Sequence, residues 1–183
     1  MCWGLMQSPL FFIGDKVVMD NEFILSGISK EEFKEIRQSF ENKAKLRPSK
    51  NKYYLSIAKE VSKRSTCLRR QYGAVIVKND EIISTGYNGA PRGDINCCDV
   101  GDCWRETHNI PHGERYEECV AVHAEQNAII SASRREMNGG ILYLYGEENG
   151  KPIKSCPCKI CKRLIKNAGL SVISYVPEYL EKE

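Results

Sequence analysis

Two short segments of this chain hold side chains whose types and spacing suit metal chemistry. His123-Ala124-Glu125 stands at one helix start, and Pro157-Cys158-Lys159-Ile160-Cys161 opens another. Cysteines two residues apart at a helix start can aim both sulfurs at one ion, and the positive helix end favours thiolate. A distant histidine completes the set His123, Cys158 and Cys161, which leaves a tetrahedral zinc one open position for water. Zinc lowers the pKa of that water to about 7, so hydroxide is available at neutral pH. Glu125 need not be a ligand and is placed to carry protons. It accepts the water proton, passes it to a ring nitrogen as hydroxide attacks an amidine carbon, and later protonates departing ammonia. Singly, His-x-Glu usually marks an ordinary helix start, and Cys-x-x-Cys a structural metal site or a redox pair. Together and in this order they match a known signature for zinc-dependent hydrolytic loss of an exocyclic amino group.

The rest of the chain must bring these two helix starts together. Ala74-Val75-Ile76-Val77 and Ile82-Ile83-Ser84-Thr85 are β-branched runs joined by Lys78-Asn79-Asp80, a pattern that predicts an antiparallel hairpin because Asn and Asp tolerate turn conformations. From Gly86 to Glu118 the chain is rich in Gly, Pro, Asn and Asp around Cys97, Cys98, Cys103, His108 and His112. That is a long loop which something must order, a metal being one candidate. Ala121, Ala124, Ala128, Ile129 and Ala132 form a helical stripe, and Ile141 to Tyr145 reads as a buried strand after Gly139-Gly140. Ile160, Leu164, Ile165 and Ala168 mark a helix that Gly169 ends, and Val172 to Tyr175 make the last strand. Strands alternating with helices argue for a layered α/β domain. Upstream, Arg47-Pro48-Ser49 breaks the chain before a helix whose buried face is Tyr54, Leu55, Ala58 and Val61. Ser29 to Phe40 reads as an earlier helix, with Ser29 as cap, Glu31 and Glu32 in the first turn, and Phe33, Ile36 and Phe40 as its stripe. Residues 1–46 are therefore taken as an appendage, with an oligomer contact as one use, and 47–183 as the catalytic domain.

At 183 residues, 42% hydrophobic and 28% charged, the chain has the composition of a soluble globular protein. A net charge of +3 is too small and dispersed for a nucleic-acid coat, although Arg69-Arg70 and Lys162-Arg163 can still meet a phosphate. The apolar run Leu10 to Ile13 is too short to span a membrane and no basic residue precedes it, so no export leader is read. Nine cysteines without such a leader suit metal ligands or reduced thiols in the cytoplasm. Met19 opens as good a chain as Met1.

Several blocks carry a more specific resemblance: Cys67-Leu68-Arg69-Arg70, Gly73 to Val77, Gly86-Tyr87-Asn88-Gly89-Ala90-Pro91, Gly113-Glu114-Arg115, His123 to Ile129 and Pro157-Cys158-x-x-Cys161. Over about residues 47 to 175 the chain resembles the deoxycytidylate (dCMP) deaminase family, which includes the deaminase of bacterial competence operons. The resemblance implies the three-layer α/β/α cytidine-deaminase-like fold with a central mixed sheet. It also implies zinc-dependent conversion of dCMP to dUMP and ammonia, supplying dUMP for thymidylate synthesis. By the same resemblance Asn88 contacts the sugar or base and Arg134 helps recognise the phosphate, the alternative for Arg134 being a solvated helix arginine. The enzyme is expected to be a homo-oligomer, commonly hexameric, switched on by dCTP and off by dTTP.

Related deaminases carry a second, structural zinc, which here implies Cys67, Cys97, Cys103 and Cys119; reduced core cysteines are the alternative, and His108 or His112 could replace one member. Cys156 precedes the Pro-Cys motif where relatives often have another small residue. Because Pro157 restricts its approach, it is expected to be a buried or spare thiol and not a fourth ligand. Rival substrates with the same zinc chemistry are a tRNA adenosine, dCTP, free cytidine or guanine, and a pyrimidine precursor of riboflavin. A noncatalytic zinc module is the rival from another class.

Overall fold

A computed structural model describes residues 11–13, 16–18, 29–45, 47–111 and 113–177, with side chains described from residue 29 onward except at 41–46 and 112. It divides into two compact units, 1–47 and 48–183. In the first, strands β1 (Phe11–Ile13) and β2 (Lys16–Val18) pair antiparallel, and helix α1 runs over Lys30–Lys45. Its start is a reciprocal cap of the kind Ser29 and Glu32 invite. The Glu32 amide donates to Ser29 Oγ at 3.2 Å, and the Ser29 amide to Glu32 Oε2 at 2.8 Å.

The second unit opens with α2 (Lys50–Ser62), capped by Ser49, whose side chain accepts the Lys52 amide at 3.3 Å. Strands β3 (Gln71–Lys78) and β4 (Glu81–Tyr87) follow as a hairpin, and Asn79 and Asp80 take the positive φ values that its turn requires. Then come the one-turn helices α3 (Cys97–Val100) and α4 (Trp104–Thr107), a 3-10 turn at Tyr116–Glu118, α5 (Ala124–Ile130) and α6 (Arg134–Met137). The chain continues as β5 (Ile141–Glu148), β6 (Lys151–Pro152), α7 (Lys159–Ala168) and β7 (Ser171–Ser174). The strands form one sheet of order β4-β3-β5-β6, with β7 also on β5. The β5–β7 pair is parallel and the others antiparallel, so the sheet is mixed.

Period-two alternation sorts its central strands into two faces. Val75, Val77, Tyr143 and Tyr145 pack with Tyr54, Leu55 and Ala58 of α2. Their neighbours Ala74, Ile76, Leu142 and Leu144 pack on the other side with Ala124, Ala128, Met137, Ile165 and Ala168 from α5, α6 and α7. This is the expected three-layer α/β/α arrangement, with both helix starts of interest in the layer that holds α5 and α7.

Two local differences from the sequence expectation have clear causes. Ala121 does not join α5, because Val122 forms an antiparallel bridge with Gly89 in which each amide donates to the other's carbonyl, at 2.8 and 3.2 Å. The long loop also contains short helical turns. Asn96 and Gly101, the latter at φ 74°, bracket α3, a cap pattern too brief to stand out from turn composition.

Two glycines let the helices approach the sheet. A Cβ on Gly73 of β3 would stand 2.0 Å from Ala58 O, and one on Gly86 of β4 would stand 2.3 Å from Ala128 N. Ser84 Oγ also donates to Ala128 O at 2.7 Å, fastening β4 to α5. Gly86→Ala is thus expected to cost about 1–3 kcal/mol by overpacking, lowering the melting temperature by about 2–4 °C per kcal/mol. Thermal denaturation checks it, and an unchanged melting point would argue against so close a contact.

Candidate metal centre and its surroundings

His123 is the residue before α5, in extended conformation, and its amide donates to Gln126 Oε1 at 2.9 Å. Cys158 caps α7, its sulfur accepting the Cys161 amide at 3.4 Å, and Cys161 lies one turn further, fully buried. The α/β/α packing brings these starts together. His123 Nδ1 lies 3.5 Å from Cys158 Sγ and 3.3 Å from Cys161 Sγ. Among the described residues these three are the group whose ligand atoms all fall within 4.8 Å of one another. A tetrahedral zinc with bonds of about 2.3 Å to sulfur and about 2.0–2.1 Å to nitrogen would space N and S by about 3.5 Å. The observed separations fit it.

Glu125 occupies the first turn of α5 and is 5% exposed. Burial pushes its carboxyl above the ordinary range, while its own backbone amide and the Cys161 thiol against it act the other way. Burial also pushes the Cys161 thiol strongly up, with Glu125 and Cys158 adding to the effect. Two sulfurs and a carboxylate facing one another are therefore costly as anions unless a cation sits among them. Burial, and then the Arg105 charge, hold the His123 imidazole below its ordinary pKa, which favours the neutral ring that a metal ligand must be.

The walls come from the loop after β4 and the start of β3. The Tyr116 ring sets its edge against His123, with centroids 5.1 Å apart. Arg105, only 6% exposed, stacks over Tyr116 at 5.1 Å and donates to Arg115 O and Pro111 O, both at 2.8 Å. Tyr72 lies within electrostatic reach of Glu125, and burial pushes the phenols of both Tyr72 and Tyr116 up, so they remain donors at neutral pH. Asn88 is buried. Its Oδ1 accepts Tyr72 N at 2.7 Å and Ser65 Oγ at 2.8 Å, and its Nδ2 donates to Arg70 O at 2.8 Å.

Other expected residues fall elsewhere. Arg134 is exposed, and its Nε donates to Asn167 O at 3.3 Å. Asn167 stands nine residues beyond Cys158 on α7, about 13 Å along the helix, so within one chain Arg134 is not beside the cluster. Cys156 is exposed, with its thiol 3.7 Å from Pro157 O. Cys67, Cys97, Cys103 and Cys119 lie close enough to influence one another. The Cys97 thiol is pushed up by burial and then by the other three, and that of Cys67 by burial and by Cys103 and Cys119. They are not drawn to within 4.8 Å of one another as the first cluster is. Cys98 is exposed, and His108, also exposed, stacks on Trp104 with centroids 4.3 Å apart; His112 lies outside the described residues. The sequence reading did not pick out Tyr72, Tyr116 or Arg105. Arg105 offered a faint sign, as an arginine one residue past Trp104 in an otherwise turn-forming stretch.

Residues 48–176 match the family model described as the cytidine and deoxycytidylate deaminase zinc-binding region. A deoxycytidylate deaminase of Mycobacterium phage D29 is 36% identical over 137 residues, covering 72% of this chain and 98% of that protein. That of Schizosaccharomyces pombe is 35% identical over 139 residues, but those span 75% of this chain and only 40% of the yeast protein. A solved structure, the dCMP deaminase of cyanophage S-TIM5 in complex with dCMP and dUMP, is 27% identical with a TM-score of 0.49, covering 70% of this chain and 82% of that one. The donor set suits a zinc-binding region of this kind. The chain belongs to the cytidine and deoxycytidylate deaminase family.

If His123, Cys158 and Cys161 hold the ion, Cys161→Ala protein is expected to carry one zinc equivalent fewer than the unmutated chain. Atomic absorption on purified protein measures this, and an unchanged content would place the metal elsewhere.

Proposed function

We propose that this chain hydrolyses dCMP to dUMP and ammonia, with zinc on His123, Cys158 and Cys161 and protons carried by Glu125. The observation that carries the reading is the buried Glu125 carboxyl lying against Cys161, beside a three-donor set spaced for zinc. The likeness to the phage deoxycytidylate deaminase over nearly its whole length supports the choice of substrate. Zinc, when bound there, makes hydroxide available from water near neutral pH. Glu125 takes the proton of the attacking water on a carboxylate oxygen and hands it to N3 of the cytosine ring. It then moves a proton to the departing amine, so that water and dCMP leave as ammonia and dUMP. Burial raises the affinity of Glu125 for that proton, which suits a group that must hold it between steps. Asn88, with both ends of its amide engaged, is assigned to fixing the wall on which the sugar rests. Arg134 is given no phosphate contact within its own chain.

A second, structural zinc on Cys67, Cys97, Cys103 and Cys119 belongs to the same proposal, supported by the mutual influence of these thiols. The metal count on Cys97→Ser reads it: a fall of one equivalent is expected, and an unchanged count rejects it. Homo-oligomers, with a hexamer as the form that the resemblance implies, are supported by exposed Ile95, Val100 and Ile130, at 74%, 64% and 77%. Effector control by dCTP and dTTP is proposed with them. A cytoplasmic setting is supported by the free thiols of all the described cysteines. No helix among the described residues is long and apolar enough to cross a membrane.

The test is ammonia release from dCMP, dCTP, deoxycytidine and a tRNA by zinc-counted protein. Turnover of dCMP is expected, and Glu125→Gln should keep its zinc while losing at least about 10²-fold in rate. Turnover that survives this change would remove Glu125 from the mechanism; zinc without any turnover would favour a noncatalytic module. In the same assay a sigmoidal dependence on dCMP that dCTP relieves is expected, and a hyperbolic curve indifferent to dCTP and dTTP rejects effector control.

A further inference from the structure

A histidine that binds a metal is ordinarily oriented by a hydrogen bond from its second ring nitrogen to a carboxylate, a carbonyl or water. His123 turns Nδ1 towards the two cysteine sulfurs, and among the described residues no group lies within hydrogen-bond distance of its Nε2. What bears on the ring is Tyr116, which meets it at 78° with centroids 5.1 Å apart. The orientation of this ligand is therefore only as firm as that of Tyr116.

Tyr116 follows Arg115, a non-glycine residue at φ 47°. An L residue takes that backbone conformation at a cost, so the surroundings must hold it. Arg105 does so. Its Nη1 donates to Arg115 O and its Nη2 to Pro111 O, both at 2.8 Å, while its guanidinium lies over the Tyr116 ring at 5.1 Å. Arg105 is itself anchored, its carbonyl accepting the amide of buried Ile110 at 2.8 Å. It is only 6% exposed, and among the described residues no carboxylate is paired with it. Burying a cation against neutral carbonyls is costly. The task that calls for it here is to hold two loop carbonyls and one aromatic face at once, which suits a planar fork. We propose that Arg105 is a positioning residue for the metal centre: it fixes the Tyr116 ring, and the ring fixes His123 as a zinc ligand. The assignment rests on the zinc set His123, Cys158 and Cys161 proposed above.

Charge and position make opposite demands on this arginine. Its cation is near enough to bear on the imidazole, and a cation repels a metal ion, so by charge alone its removal would tighten zinc binding. By position, its removal frees Tyr116 and weakens zinc binding.

The experiment measures zinc affinity by chelator competition on the full chain, and the visible spectrum of the cobalt(II)-loaded protein. Subtracting the spectrum of Cys161→Ala isolates this centre. Arg105→Ala is expected to bind zinc about 10- to 100-fold more weakly and to shift the cobalt bands. Arg105→Lys, which keeps the charge but loses the fork, should lose nearly as much. Tyr116→Phe should keep the zinc affinity, Tyr116→Leu should lose it as Arg105→Ala does, and the double variant Arg105→Ala/Tyr116→Leu should lose no more than either alone. Arg69→Ala removes another arginine bond to the same loop, from Nη1 to Ile110 O at 3.2 Å, and should leave affinity and spectrum unchanged. Unchanged or tighter zinc binding in Arg105→Ala overturns the proposal. So do additive losses in the double variant, or an equal loss in Arg69→Ala, which would mean a general loosening of the loop. Failure of the zinc reading is distinct: an unmutated chain whose cobalt spectrum equals that of Cys161→Ala holds no metal there, and both readings fall.

Discussion

Two cysteine sulfurs, an imidazole and a buried carboxyl share a space a few ångströms wide, and the electrostatic cost of that crowding governs the design around it. His123 Nδ1 is within 3.5 Å of both sulfurs, and Glu125 lies against one of them. As anions these groups are tolerable together only around a cation, and a divalent ion that accepts one nitrogen and two sulfurs satisfies all of them at once. Everything that fixes the separation of the two helix starts therefore fixes the chemistry. The helices belong to one layer on one face of the sheet, and α5 is drawn down on Gly86, where no side chain could fit.

Polar groups pin the loop between β4 and α5 at several points. Asn88 ties it to the start of β3, the Gly89–Val122 bridge ties its two ends together, and Arg105 gathers Pro111 and Arg115 under Tyr116. Each bond is modest alone, about 0.5–1.5 kcal/mol for neutral partners and more for a guanidinium. Their common result is that Tyr116 meets His123 edge-on and the imidazole is held in one orientation. A metal ligand oriented by its surroundings binds more tightly than a free one, so the loop acts on the centre without touching the ion.

The metal centre was legible because its geometry is local. A Cys-x-x-Cys at a helix start and a histidine before another one fix sulfur and nitrogen directions within a single turn, and only the meeting of the two turns needed the fold. The sheet was legible for the same reason, since Val75 and Ile76 alternate between faces whatever lies beyond them. Asn88 was found as a residue type, but not as a clamp, because its partners Ser65 and Arg70 come from another segment. Arg134 was assigned by resemblance, with a solvated helix arginine as the alternative; α5 ends at Ile130, and the turn into α6 carries Arg134 to the far end of α7. Tyr116 and Arg105 lie in a loop whose path is set by contacts distant in sequence, which periodicity cannot read.

Charge supplies the remaining constraint on a nucleotide site of this kind. A divalent ion with two thiolates is neutral, and an ionised Glu125 beside it makes the centre negative. A nucleotide monophosphate adds two more negative charges at neutral pH. Unopposed, these would repel the substrate through a low-dielectric wall, where a few ångströms of separation screen little. A buried cation beside the site answers this. Arg105, buried and bonded to neutral carbonyls, keeps its full charge close to His123.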